Sequence, residues 1–154
     1  MQHQTKVRKA TILDLLPVAL LADKYSSEVN TMDNHPLCIE TLMQNMAATL
    51  MSPDGYMSLL EVDGKIVGGL WGILTNQPWS ATKFAQDVII FVDSSHRNGS
   101  GLLLIKDWIK WAKDKGAKEV YLSTASGIGT ERFIRLAGKL GFEPVGHGFK
   151  KEVY

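Results

Sequence analysis

Asp63-Gly64 stands between two strand-like runs, Tyr56 to Val62 and Lys65 to Leu74. An Asp-Gly pair accepts the positive backbone angles of a two-residue turn, so the two runs are expected to pair as an antiparallel hairpin. This is the firmest local feature of the chain, and it puts an antiparallel seam near its middle.

The flanking segments alternate in period. Val7 to Ala10 reads as a short first strand, and Thr11 with Asp14 three residues on has the spacing of a helix-capping pair. Leu15, Leu16, Ala19, Leu20 and Tyr25 then recur at helical spacing, with Pro17 tolerated near the first turn. Pro36 is expected to open a second helix, with Ile39, Leu42, Met43, Met46 and Leu50 on one face and Ser52-Pro53-Asp54-Gly55 as its stop. After the hairpin, Asn76 to Thr82 reads as a loop and Phe84 to Val92 as a strand. The unbroken apolar run at the end of that strand marks it as central.

Asp93 to Ser100 is a polar loop leading into an amphipathic stripe of Leu102, Ile105, Trp108, Ile109 and Ala112. Glu119 to Ser123 reads as a strand and Ser126 to Thr130 as a bend. A helix follows, with Phe133, Ile134, Leu136, Ala137 and Leu140 inward and Gly141 as a left-handed cap. Phe149 to Tyr154 is expected to close a last strand. The order β-α-α-β-β-β-α-β-α-β describes an α/β fold, a mixed sheet flanked by helices, in one domain over residues 1–154.

The 154 residues carry a net charge of +1, a balance that argues against nucleic acid or an acidic membrane as partner. Lys110, Lys113, Lys115 and Lys118 read as a solvated helix end. The single Cys38 forms no internal disulfide and offers no cysteine-based zinc framework, so no metal is expected. Met1 to Lys6 lacks the apolar core of a signal peptide, and Val88 to Val92 and Leu102 to Ile105 fall short of the about 20 residues a membrane span needs. The expectation is a soluble, cytoplasmic protein.

The loop His96-Arg97-Asn98-Gly99-Ser100-Gly101 joins a buried strand to a helix. Glycines let its backbone approach a ligand, and orphan N–H groups at a helix start favour an anion, phosphate above all. Arg97 and His96 add charge-assisted donors. A Walker loop would need Gly-Lys-Ser/Thr after Gly101, which is absent. A dinucleotide fingerprint would need a third glycine where Leu104 stands, and an acid ending the next strand where Glu119 begins it.

The pattern resembles the Gcn5-related N-acetyltransferase (GNAT) family, whose signature is Gln/Arg-x-x-Gly-x-Gly/Ala. Gly99 and Gly101 match, His96 departs at the first position, and Arg97 sits one place late. The Val7 to Thr11 opening with Asp14, the Asp63-Gly64 hairpin and the Lys139-Leu140-Gly141-Phe142-Glu143 ending agree in order. The resemblance implies that residues 96–101 with Leu102 hold the pyrophosphate of acetyl-CoA, while Ile90, Phe91 and Val92 offer a free strand edge to the pantetheine arm. It also implies direct attack of a primary amine, in a small molecule or a peptide, on the thioester. Asp87, the acidic residue within this strand, is the candidate general base, weighed against an ordinary polar residue at a strand start. Ala137 occupies the place where the family often has a tyrosine acid.

The alternative is a module that binds acyl-CoA without transferring it. Trp71 and Trp79 were weighed as acceptor-cleft residues against core packing, Glu28 and Asp33 as weak attractors of a cationic amine, and Ser123, Ser126 and Thr130 as contacts to the coenzyme arm against turn hydroxyls. His35 and His147 read as solvated. Trp108 and Trp111 cannot both face inward on one helix, and the surplus tryptophans allow a homodimer.

Overall fold

The computed structural model describes residues 4–29, 34–97, 99–123 and 130–153. Five strands form one sheet in the order β1-β2-β3-β4-β5: β1 (Thr5–Lys9), β2 (Gly55–Val62), β3 (Lys65–Asn76), β4 (Lys83–Val92) and β5 (Glu119–Tyr121). The first four are antiparallel neighbours, and β5 lies parallel to β4. Helices α1 (Leu15–Ser26) and α2 (Ile39–Met51) cover one face. Helices α3 (Gly101–Asp114) and α4 (Thr130–Lys139) cover the other.

The hairpin forms where Asp63-Gly64 predicts it. Both residues have positive φ, 53° and 81°, and Val62 pairs with Lys65 across the turn. β2 is buried on both sides, with Tyr56 and Leu60 in the α3 cluster and Met57 and Leu59 in the α1/α2 cluster. Such double burial belongs to the middle of a layered fold.

The opening turn is held by charge. Asp14 accepts the Thr11 amide at 2.7 Å, completing the capping pair, and takes both Arg8 terminal nitrogens at 2.8 Å. Arg8 Nε reaches Glu61 at 2.6 Å, so one guanidinium ties β1, β2 and the start of α1 together. On the α3 face Trp108 is fully buried against β3, and Gly72 makes room for it. A Cβ on that residue would stand 2.7 Å from the indole nitrogen.

Three expectations need correction. The second helix begins at Ile39 instead of Pro36, because Cys38, its exposed N-cap residue, is extended (φ −115°, ψ 110°). Ile134 points outward on α4, 53% exposed, whereas Phe133, Leu136 and Leu140 pack inward. Phe149–Val153 form no strand, and Tyr154 lies outside the described residues. Pro144, Gly146 and Gly148 weaken strand propensity just before this segment, and Phe149 is left 95% exposed. Gly141 does cap α4 with φ +87°, the Phe142 amide returning to Ala137 O at 3.0 Å.

Candidate active site

The ladder between β4 and β5 is short. It runs Phe84↔Glu119, Ala85↔Val120 and Gln86↔Tyr121, and there it ends among the described residues. From Asp87 to Val92, β4 is paired, among the described residues, only with β3, and Ile90, Phe91 and Val92 lie on this stretch.

A bulge sits just beyond the end of that ladder. Gly72 pairs with Asp87 and Trp71 with Ile89, so Val88 is the extra residue. Ile89 and Phe91 consequently line the α1/α2 side, where the Phe91 ring lies 3.9 Å from that of Tyr25 between centroids. Ile90 and Val92 pack on the α3 side.

Asp87 replaces the backbone ladder where it stops. Its carboxylate accepts the Ser123 amide at 3.2 Å and Gln86 Nε2 at 2.8 Å. With 9% of the residue exposed, burial pushes its carboxyl above the usual range, against the lowering effect of the two hydrogen bonds. A carboxylate made more basic at a strand opening is suited to receive a proton.

A short 3-10 turn, Ser94–His96, separates β4 from the glycine turn. Gly99 has φ +98°, a conformation that favours glycine, and Gly101 opens α3 behind the N-cap Ser100. A helix start behind such a turn is the kind of place where an anion is held. The Leu102 amide already donates to Gly99 O at 3.1 Å and that of Leu103 to Ser100 O at 3.0 Å, tight bonds that close the first turn. Leu102 is therefore less available than the sequence suggested. Asn98 lies outside the described residues.

The two basic residues are also differently placed from expectation. Arg97 donates through Nε to Val92 O at 2.7 Å and through Nη2 to Glu28 at 2.8 Å, so it braces the end of β4 against the α1 side. His96 Nδ1 lies 3.0 Å from Ser95 Oγ and 3.6 Å from Asp93, whose carboxyl the Ser95 hydroxyl holds below the usual range.

Of the residues weighed at the acceptor side, Trp71 lines a cavity and Trp79 is 82% exposed. Glu28 is engaged with Arg97, and His35 is exposed. Asp33 and Ser126 lie outside the described residues, as does the side chain of Thr130. Sequence reasoning missed Gln86, the Ser123 amide and the Val88 bulge. The adjacent polar pair Gln86-Asp87 just before an apolar run is a signal for Gln86 alone.

The fold is shared with solved structures, acetyltransferases among them. A transcriptional regulator from Bacillus halodurans C-125 superposes with a TM-score of 0.78 at 20% identity, covering 97% of this chain and 100% of that one. An aminoglycoside acetyltransferase from an uncultured soil metagenomic sample gives 0.75 at 19%, covering 98% and 99%. The aminoglycoside N-acetyltransferase AAC(6')-Iy in complex with CoA gives 0.72 at 16%, covering 99% and 97%. No curated protein matches the sequence. The model of the acetyltransferase (GNAT) family matches residues 21–142, and the chain belongs to that family.

Proposed function

We propose that the protein transfers an acetyl group from acetyl-CoA to a primary amine by direct attack within a ternary complex. The observation that carries this reading is the stretch of β4 from Asp87 to Val92, free of β5 among the described residues and followed in sequence by the Gly99 turn and the start of α3. Backbone groups of Ile90, Phe91 and Val92 are suited to the pantetheine arm, as a peptide adds to a sheet edge. Gly99, Ser100, Gly101 and His96 are suited to the pyrophosphate. Arg97 supports that loop from behind.

In the reaction the amine lone pair attacks the thioester carbon, the new C–N bond forms and the C–S bond breaks. Sulfur leaves as a thiolate. Asp87 takes the proton lost by nitrogen, directly or through one water, and a proton from solvent neutralises the thiolate. With Ala137 at the family's tyrosine position, no side-chain acid is assigned to the thiolate. That same absence favours the second reading, a module that binds acyl-CoA without turnover.

Calorimetric titration with acetyl-CoA and desulfo-CoA, followed by thiol release across a panel of amines, separates the two. Asp87→Asn is expected to lower kcat about 100-fold at neutral pH with little change in CoA affinity. The rate of the parent protein should rise with pH through an acid limb displaced upward from the ordinary carboxylate range, since the deprotonated form is the active one. Asp87→Asn should abolish that limb. Unchanged kcat and an unchanged limb would remove Asp87 from the mechanism, and tight CoA binding without thiol release would favour the binding module.

A further inference from the structure

A cavity of about 100 Å³ lies between α1, α2 and the sheet, on the face away from α3. Val18 and Ala22 of α1, Leu42 of α2, Met57 of β2, Trp71 of β3 and Phe91 of β4 form much of its wall. Among the described residues no Asp, Glu, Lys, Arg or His lines it. Its wall includes Ile89 and Phe91, which belong to the same part of β4, free of β5 among the described residues. The cavity therefore adjoins the place where the thioester and the amine would meet.

The wall offers shape and apolar surface, and the indole N–H of Trp71, buried without a hydrogen-bond partner among the described residues as is that of Trp108 on the other face, does not open into it. Charge gives a polycation no hold on this wall, and Glu28 is paired with Arg97 at 2.8 Å.

We infer that this cavity is a selectivity pocket for a short apolar group of about three or four carbons, scaled from the roughly 150 Å³ apolar cavity that holds benzene. The inference rests on the acyl-transfer reading above and names the substrate class of the same site. The apolar group belongs either to the acyl tail of the thioester or to the side chain of the amine. The shared chemistry is an uncharged aliphatic or small aromatic group.

Two substrate series distinguish the sources. In one, the acyl chain is lengthened from acetyl to butyryl with the amine fixed. In the other, the amine is lengthened from methylamine to butylamine with acetyl-CoA fixed. Each methylene that enters the cavity should raise kcat/KM about fourfold, mainly through KM. Ala22→Leu, which fills the cavity, should return the responding ratio to about one.

The pocket assignment is overturned by ratios within twofold in both series, by a ratio that persists in Ala22→Leu, or by a polycationic amine outrunning an apolar amine of equal size. If no amine releases thiol, the transfer reading fails separately. The cavity is then judged by binding alone. Butyryl-CoA binding more tightly than acetyl-CoA, or a thermal shift with butylamine that methylamine lacks, supports it. The absence of both differences overturns it.

Discussion

The two faces of the sheet are covered to different standards. On the α3 face, Trp108, Leu104 and Ala112 are fully buried, and β3 presents Gly72 so that the indole can lie against the backbone. On the α1/α2 face, Ala19 and Met46 are buried as well, yet about 100 Å³ stays open beside Trp71 and Phe91. Protein interiors pack like organic crystals, and voids above the size of a water molecule are few per domain. On the proposed reading, a void of that size near the end of β4, opposite a face where Trp108, Leu104 and Ala112 are wholly buried, sets a face kept for binding against one kept for stability.

The largest test of that contrast is Trp108→Ala. Removing a fully buried indole should cost about 3–5 kcal/mol in urea denaturation, enough to threaten folding in a chain of ordinary stability. Ala22→Leu, in the opposite layer, adds carbons into existing space. It should stay within about 0.5 kcal/mol of the parent, whereas the same enlargement in a closed core costs about 1–3 kcal/mol. Similar losses for the two variants would mean that both faces are equally closed in solution.

Next in size is the clamp at the opening turn. The Arg8 guanidinium holds the Asp14 carboxyl at about 2, below its ordinary 3.8. In the window between those values the unfolded chain binds more protons than the native one, so stability is present above about pH 4 and is lost as pH falls toward 2. Discounted for the solvent that reaches Arg8, the contribution is about 1–2 kcal/mol. Asp14→Asn should remove that much at neutral pH and flatten the acid limb of a denaturation series. A variant with the parent's acid limb would show that the clamp lies outside the cooperative unit.

These contrasts were unequally legible in the chain. The hairpin, the Thr11 and Asp14 capping pair, the Gly141 cap and the Gly99 turn are local, set by backbone angles that few residues tolerate, and each stands where the sequence placed it. Asp87 was visible as an acid in an apolar strand. Its partners were not, because the Ser123 amide is brought to it only by the parallel pairing of β4 with β5. The partners of Arg97 were hidden for a similar reason: the fold brings Val92 O and Glu28 to a cation that the sequence shows only beside a glycine turn. The Val88 bulge was hidden inside Val88 to Val92, since a run of apolar residues shows no alternation from which a shift of register could be read. The cavity is a property of two helices and three strands together, and no local signal announces it.

The smallest effect has the opposite sign. Burial makes the native state hold a proton on Asp87 to higher pH than the unfolded chain does. Stability from this group is therefore complete below the ordinary carboxylate pKa of about 3.9 and declines as pH rises through the raised native value. Asn keeps an oxygen for the Ser123 amide and carries no ionisable proton, so Asp87→Asn removes the decline. The variant should match the parent near pH 3 and exceed it in Tm at neutral pH. Thermal unfolding at the two pH values checks it. A variant less stable than the parent at neutral pH would mark Asp87 as a structural link between β4 and β5. A gain in stability accompanied by lost turnover would mark a carboxylate kept for chemistry at the expense of the fold.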